Sequence, residues 1–429
     1  MNRKYEKHLR AIPSLNKAAD ELSGEYSDTL SQIVLNVISP VVYMFAERIV
    51  AKAVQLGIRR LYFLARDGYS VMRAAQVICR KKNLDIDLIY LYCSRYSLRM
   101  AAYRFKDNTA YERFFHECYS LTPSNVLSRG AFTPDERISV YNELGFDISA
   151  ENKLMDRSEF RSFCDKLKRS DTFNKILSDR SDHAYNIIIS YFKEKKMDCS
   201  EHIGLVDSGW TGSMQDTIKK LLVSSGISCH ITGFYVGMLA VPPAAAQSTF
   251  DAWLFDGKGD NLTKAWFSQN LFECLCTAPH GMTVGYEHTE KGIFPVLIDN
   301  NKNDSLIGKL SDIIYRYAET VSEFTYNEAL CKKTAAALLK SLMLYPSAEE
   351  AEAFDCFDFC DDVTEKYHNS ISVCAEKKQL TDSLLHRKNT VRLYWFYGSL
   401  IRSDALFKNI YRLGYYLSEV LRYFLSDLR

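Results

Sequence analysis

Two widely separated segments of the chain share one order of features: an apolar strand, a short glycine-containing turn and an amphipathic helix. In the first, the apolar run Leu61–Leu64 leads to the turn Ala65–Gly68. In the second, Ile203–Val206 leads to Asp207 and a turn over residues 208–213. In an open parallel sheet, the turns at the carboxyl ends of the strands meet at one crevice, where ligands bind. The two segments therefore predict a parallel α/β sheet with a shared binding site.

The second turn has the composition of an anion-binding loop. It contains Ser208, Gly209, Trp210, Thr211, Gly212 and Ser213. Glycine lets backbone N–H groups approach a ligand closely, the hydroxyl groups add donors, and the N-terminus of the following helix favours a phosphate monoester. The alternative is an ordinary strand-to-helix turn in which Ser213 is the N-cap residue.

The alternation of strands and helices indicates how the whole chain is organised. We predict a helical lead-in over residues 1–57, an α/β core over 58–298 and a helical region over 299–429. A helical insertion at about residues 95–200 interrupts the core. It predicts either a lid or acceptor wall over the two turns, or a second core that only enlarges the domain.

Both turns resemble loops of the type I phosphoribosyltransferases. Ala65-Arg66-Asp67-Gly68 is similar to their pyrophosphate loop, and Asp207 followed by Thr211-Gly212-Ser213 is similar to their ribose-phosphate loop. Two features depart from that family: Asp207-Ser208 stands where the family has two adjacent acids, and the loop is one residue shorter. The resemblance implies a type I phosphoribosyltransferase-like sheet that carries the helical insertion and the helical C-terminal region.

Three further fragments narrow the resemblance: RLYFLARDG at residues 60–68, the pair Ser94-Arg95, and ECLCTAPHG at residues 273–281. They resemble the phosphoribosyl diphosphate-dependent ribofuranosyltransferases of bacterial capsule and O-antigen synthesis. These enzymes are often encoded with, or fused to, a phosphatase of the haloacid dehalogenase (HAD) type. The resemblance implies transfer of ribofuranosyl 5-phosphate to a saccharide acceptor, which includes lipid-linked acceptors. A separate phosphatase would then remove the 5-phosphate.

The resemblance also implies which residues contact the donor. Arg66, with the backbone of Asp67 and Gly68, would bind the pyrophosphate together with Mg²⁺. Arg95 is a second pyrophosphate contact or, alternatively, part of a surface salt bridge. The turn at 208–213 would hold the 5-phosphate, and Asp207 would contact the ribose hydroxyls or the metal.

A saccharide hydroxyl needs a base that removes its proton as the new bond forms. The candidates are Glu273, His280 and Asp67. Glu273 has apolar neighbours in the sequence, and burial would raise its affinity for a proton. Alternatively, Glu273 forms a buried ion pair and His280 makes turn hydrogen bonds.

Three other functions are compatible with the motifs. One is a catalytically inactive binding or scaffold subunit of a glycan-assembly complex, and another is a nucleobase phosphoribosyltransferase. The third is a degenerate HAD-like hydrolase, in which Ala65 occupies the position of the nucleophilic aspartate and Ser94 serves as the second motif. Alanine cannot form an aspartyl phosphate, which makes this the weakest of the three.

Charge and cysteine content limit partners and location. The 54 basic and 53 acidic residues nearly cancel, so no overall field attracts the chain to nucleic acid. The 12 scattered cysteines indicate a reducing cytoplasm, and the apolar stretch Ile33–Val50 is interrupted by polar residues, as in a buried soluble helix. The aromatic and basic C-terminal helices predict peripheral contact with the inner membrane or, alternatively, packing on the core or on a dimer partner.

Overall fold

A five-stranded parallel sheet forms the centre of the protein. The computed structural model describes residues 3–106, 108–116, 121–240, 249–298, 303–359, 369–387 and 393–428. The strands of this sheet are β1 (Arg60–Leu64), β2 (Asp87–Leu91), β3 (His202–Trp210), β4 (His230–Met238) and β5 (Thr249–Phe255). Their spatial order is β2-β1-β3-β4-β5, and every neighbouring pair is parallel. The predicted α/β class and the parallel sheet are therefore confirmed.

The strand order reverses between β1 and β3. From β1 the chain moves outward to β2 and then returns to the other side of β1 to form β3, where Phe63 pairs with Val206. Such a reversal opens a crevice at the carboxyl ends of the two strands, and ligands of doubly wound sheets bind there. The two turns predicted to share a site follow these two strands.

The N-terminal helices form one layer against the sheet. They are α1 (Arg3–Leu9), α2 (Pro13–Leu22), α3 (Thr29–Ile33) and α4 (Ser39–Leu56), and one π-helical turn at Val34–Ile38 joins α3 to α4. The stretch Thr29–Leu56 is long and apolar enough to cross a membrane, but its most apolar window is entirely buried in the protein. Core helices of soluble proteins meet the same criteria, so the cytoplasmic, peripherally membrane-bound location stays a prediction.

Helices fill the interval between β2 and β3. After α5 (Gly68–Lys82), which connects β1 to β2, the helices are α6 (Arg95–Ala102), α7 (Asn108–Phe114), α8 (Pro123–Ser128), α9 (Pro134–Leu144), α10 (Arg157–Arg169) and α11 (Asp171–Glu194). They enclose an apolar cluster of their own that runs from Met100 to Leu177. We refer to α6–α11 as the helical insertion.

The remaining elements follow β3. They are α12 (Ser213–Ser224), α13 (Asn261–Lys264), α14 (Gln269–Cys276), the hairpin of β6 (Thr283–Thr289) and β7 (Gly292–Leu297), α15 (Asp304–Thr320), α16 (Glu328–Met343), α17 (Ala348–Glu352), the short pair β8 (Asp358–Phe359) and β9 (Asn369–Ser370), α18 (Lys377–Leu384), α19 (Phe396–Arg402) and α20 (Lys408–Asp427). The region predicted to be helical after residue 298 thus also contains one short strand pair. The largest apolar cluster extends from Tyr5 to Leu400 and joins the N-terminal helices, the sheet and this last region. The division of the chain at residues 57 and 298 stays a prediction.

Candidate active site

The carboxyl ends of β1 and β3 bring the two predicted turns into direct contact. Asp67 lies between β1 and α5, and Ser208 lies near the end of β3. The Ser208 hydroxyl donates a hydrogen bond to the Asp67 carboxylate. Residues 141 positions apart in the chain therefore share one crevice, because their strands are neighbours in the sheet.

The turn after β3 is shorter than predicted. Ser208, Gly209 and Trp210 belong to β3, and the last two pair with Gly237 and Met238 of β4. Only Thr211 and Gly212 connect the strand to α12. The predicted six-residue phosphate loop is therefore wrong in its extent, because β4 continues far enough to keep β3 in the ladder.

Gly209 of β3 and Gly212 of the turn are both explained by positive φ angles and close packing. Gly209 has φ +112°, and a Cβ atom there would lie 2.5 Å from the carbonyl oxygen of Gly237. Gly212 has φ +62°, and a Cβ atom there would lie 2.4 Å from the Phe250 ring. Gly212 is also the N-cap residue of α12, so the alternative prediction that Ser213 caps this helix is wrong. Thr211 is exposed and Ser213 is half-buried.

Glu273 of α14 adds a third carboxyl group to the crevice. The indole Nε1 of Trp210 donates a hydrogen bond to Glu273 Oε1 over 2.5 Å. The Trp210 ring is held by Phe255, Phe267 and Phe272, with centroid distances of 6.4, 5.3 and 6.3 Å. The end of β3 thus fixes the orientation of a carboxyl group from a different element.

Three half-buried carboxyl groups interact in this crevice. Burial raises the pKa of Asp67, and burial together with the charges of Asp67 and Glu273 raises that of Asp207 well above its usual range. Burial and the charge of Asp67 raise the pKa of Glu273 to about 7. Arg95 opposes all three shifts, and Arg66 opposes those of Asp67 and Glu273. The crevice therefore combines three carboxyl groups whose pKa values are raised with two guanidinium groups.

Arg66 and Arg95 approach the crevice from two different elements. Arg66 is half-buried in the turn after β1, and the exposed Arg95 is the first residue of α6. The preceding Ser94 caps α6, and its hydroxyl donates to the carbonyl oxygen of Thr283 over 2.6 Å. Ser94 is therefore engaged in holding α6 against the β6–β7 hairpin. Gly68 lets α5 begin close to β1, because a Cβ atom there would lie 3.0 Å from Phe63.

His280 belongs to an aromatic wall beside Arg66. Its Nδ1 lies 2.9 Å from the carbonyl oxygen of Gly281, and its Nε2 lies 2.8 Å from the Tyr90 hydroxyl. A carbonyl only accepts, so Nδ1 carries the proton and Nε2 accepts from Tyr90. Burial and the charge of Arg66 lower the pKa of His280. Both ring nitrogens of His280 therefore form hydrogen bonds, which agrees with the alternative that this histidine has a structural role.

The aromatic wall is a feature that sequence reasoning missed. Tyr69 of α5, Tyr90 of β2 and Tyr92, which follows β2, stand together, with centroids 5.6 Å apart for the first pair and 5.0 Å for the second. The His280 ring lies 5.1 Å from that of Tyr92. The sequence held a signal for this wall, because Tyr90 and Tyr92 are two positions apart at the end of a strand and such residues lie on the same face.

The donor set fits a magnesium ion that is shared with a ligand. Within the described ranges, no three His, Cys, Asp or Glu residues are placed to hold a metal by themselves. Mg²⁺ usually takes only one or two carboxylates and completes its shell with phosphate oxygens and water. Asp67 and Asp207, whose pKa values are raised by burial, are suited to such a role, since a cation would relieve their repulsion.

The chain matches none of the protein-family models with which it was compared. No curated protein matches it either. The site is therefore interpreted from its own geometry and chemistry.

Proposed function

We propose that the protein is a phosphoribosyl diphosphate-dependent ribosyltransferase that moves ribofuranosyl 5-phosphate to a hydroxyl group of a saccharide. The observation that carries this proposal is the crevice between β1 and β3, where Asp67, Asp207 and Glu273 meet Arg66 and Arg95. Cations for a leaving diphosphate and a carboxylate base for an incoming hydroxyl are the two groups that such a transfer needs. The finer assignment of the sheet to the type I phosphoribosyltransferases is part of the same proposal.

In this reaction the anomeric carbon loses one oxygen and gains another. The bond to pyrophosphate breaks, and the leaving group takes the electron pair as negative charge grows on its oxygens. Arg66 and Arg95 neutralise that charge, and Mg²⁺ bound with Asp67 and Asp207 would supply further neutralisation of the phosphate oxygens. The acceptor oxygen forms the new bond and gives its proton to Glu273.

Glu273 is the best placed of the three predicted bases. Its pKa, raised by burial to about 7, is close to the value that suits a general base at neutral pH. The Trp210 indole fixes its direction. Asp67 is already engaged by Ser208 and would share the metal, and His280 is engaged by Tyr90 and Gly281, so neither is as free as Glu273 to take the proton.

Two features support a large acceptor. The tyrosine wall next to Arg66 offers flat apolar faces on which a sugar ring can lie. The helical insertion begins at Arg95 and so leaves the sheet at the crevice itself. A small nucleobase would need neither the extra helices nor a long wall. At the other end of the donor, Thr211, Ser213 and the N-terminus of α12 would hold the 5-phosphate.

The direct test follows pyrophosphate release. The protein is incubated with phosphoribosyl diphosphate and Mg²⁺, with and without glycan acceptors and nucleobases. We expect release that depends on a glycan and is abolished by Arg66→Ala. Arg80→Ala is the matched control, because Arg80 lies at the other end of α5 in an exposed pair with Glu319. Release that requires a nucleobase, or equal losses in both variants, would contradict the proposal.

A second candidate is a sugar-phosphate-binding subunit without catalysis. One observation favours it: Ser208 stands where the resembled family has a second acid. Calorimetry separates this candidate from the first. Tight binding of phosphoribosyl diphosphate without release of pyrophosphate in the presence of any acceptor would establish the binding subunit.

A further inference from the structure

Helix α20 has an apolar face that no described residue covers. Six of its large apolar side chains, together with two that immediately precede the helix and one that follows it, are between 49% and 77% exposed. They are Leu406, Phe407, Ile410, Leu413, Leu417, Leu421, Phe424, Leu425 and Leu428. We call this set the α20 stripe. Contiguous exposed apolar surface on this scale marks an interaction site.

The opposite face of α20 is fixed to the protein body. Tyr411, Tyr415 and Tyr416 pack against the main apolar cluster, and the Tyr415 ring stacks on Phe396 with centroids 3.8 Å apart. Glu419 is buried and paired with Arg422. The helix is therefore docked through one face while the stripe points outward.

Most of the α20 stripe is symmetric about Leu417. Leu413 and Leu421 lie four residues from it on either side, and Ile410 and Phe424 lie seven. When two identical helices pair antiparallel about a two-fold axis at one residue, every residue before the axis faces its counterpart after it. Each of these side chains then meets an apolar side chain of the partner.

The cations of α20 are turned away from the stripe. Lys408 donates to the carbonyl oxygen of Ile401, Arg412 lies over the Tyr345 ring, and Arg422 pairs with Glu419. Helices that lie on anionic membranes carry lysine and arginine on the face that remains in water beside the lipid. In α20 these cations instead contact Ile401, Tyr345 and Glu419 within the protein, which favours a protein surface as the occupant of the stripe.

A cavity continues the stripe at its N-terminal end. It has a volume of about 770 Å³ and is lined by Leu406, Phe407 and Ile410 on one side and by residues 374–377 on the other. In the antiparallel arrangement, the C-terminal end of the second copy's α20 lies at this end. The cavity therefore offers space for the end of that helix.

We propose that the α20 stripe is the two-fold interface of a homodimer in which two α20 helices pair antiparallel about Leu417. If each of the nine side chains buries roughly 100 Å², the stripe contributes on the order of 900 Å² per subunit, which a stable interface requires. This inference stands apart from the proposed chemistry of the crevice between β1 and β3.

The test measures the mass of the full-length protein by sedimentation at micromolar concentration. We expect a dimer for the unmodified chain and a monomer for Leu417→Lys, since two lysines would then face each other at the axis. Val223→Glu on α12 is the control, because Val223 is 60% exposed and lies outside the stripe. Circular dichroism and thermal unfolding show whether each variant is folded. A dimer that survives Leu417→Lys in a folded protein would overturn the proposal.

Variants with opposite charges at positions 413 and 421 test the register of the two α20 helices. Leu413→Glu and Leu421→Lys should each weaken the dimer at least tenfold, and the double variant should restore it, because position 413 faces position 421 of the other copy. Failure of the double variant to associate more tightly than either single variant would refute the antiparallel register. A monomeric unmodified protein that floats with phosphatidylglycerol vesicles would instead assign the stripe to a membrane. A monomeric protein that does not bind the vesicles would overturn the proposal as well.

Discussion

The chemical character of Glu273 is set by its surroundings. The side chain is half-buried beside Asp67, and burial and this neighbour raise its pKa to about 7. The Trp210 indole partly offsets the shift by donating a hydrogen bond. A carboxyl group whose pKa is higher in the folded state stabilises the protein at low pH and loses that contribution as the pH rises through the folded-state value.

Glu273→Gln should therefore change the pH dependence of stability. The unmodified protein has to ionise this group in a crevice above pH 7, at a cost of about 3 kcal/mol relative to the unfolded chain. The variant avoids that cost and still accepts the Trp210 hydrogen bond. Urea unfolding at pH 5 and pH 8 should show that the Glu273→Gln variant gains stability relative to the unmodified protein at the higher pH. Glu287→Gln, at an exposed position of β6, is the control, and an equal difference at both pH values would contradict the assigned cause.

At the scale of elements, the sequence predicted more of the sheet than of its connections. The apolar runs at residues 61–64 and 203–206 identified β1 and β3, because buried parallel strands have continuous apolar sequences. The extension of β3 through Trp210 was not predictable from its own residues, since it depends on pairing with β4. Gly209 and Gly212 suggested an open loop, whereas their neighbours Gly237 and Phe250 come from strands that follow in the chain.

The candidate site, too, could be predicted only in part from the sequence. The pattern of residues identified Asp67, Asp207 and Glu273 separately, but their common crevice follows from the strand order and from the position of α14. The contact between Trp210 and Glu273 joins residues 63 positions apart, and no local pattern encodes it. Whether these residues act on phosphoribosyl diphosphate stays a prediction.

Helix α6 carries a cation that has no acceptor among the described residues. Arg99 lies one turn after Arg95 on the same face. Burial, together with the charges of Arg95, Arg113 and Arg129, lowers its pKa to about 10. Arg129 is anchored nearby by bonds to the carbonyl oxygens of Phe114 and His116. This grouping of arginines extends positive charge from the crevice into the insertion.

Arg99→Met should increase the stability of the protein and weaken its binding of anions. Arg99 has no acceptor in the described ranges, and its removal should raise the free energy of unfolding by about 1 kcal/mol, because the cost of burying the charge and its repulsion by three neighbouring arginines disappear. The affinity for pyrophosphate, measured by calorimetry, should fall about tenfold. Arg104→Met is the control, since Arg104 already pairs with Asp182. A destabilised Arg99→Met variant with unchanged pyrophosphate affinity would show that Arg99 is purely structural.

For the whole molecule, ion pairs supplement the apolar cluster that joins the chain ends to the sheet. Arg48 of α4 is buried and binds Asp251 of β5 as well as Glu328 of α16, the latter over 3.0 Å. In the same helix, the buried Glu47 pairs with Lys82 of α5 and accepts from the Tyr43 hydroxyl over 3.0 Å. One helix thus connects the edge of the sheet, its neighbouring layer and the C-terminal region.

Arg48→Met should destabilise the sheet, its neighbouring helical layer and the C-terminal region together. Loss of the buried cation costs about 3 kcal/mol, because Glu328 would lose its guanidinium partner and Asp251 would keep only the more distant Lys52. Urea unfolding followed by fluorescence should show a lower midpoint for the transition that includes the sheet. Arg316→Met, in the exposed pair with Glu25, should cost less than about 1 kcal/mol. Equal effects of the two substitutions would mean that Arg48 does not connect these regions.

The continuation of β3 through Trp210 bears on how the crevice can change shape. Residues 207–210 remain in register with β4, so any movement of this wall would require the loss of ladder hydrogen bonds in the middle of the sheet. Arg95 and Glu273, in contrast, lie on helices that are attached to the sheet at its edge or through side chains. A closing motion around any bound ligand would therefore come from the helical side, against a floor that stays rigid.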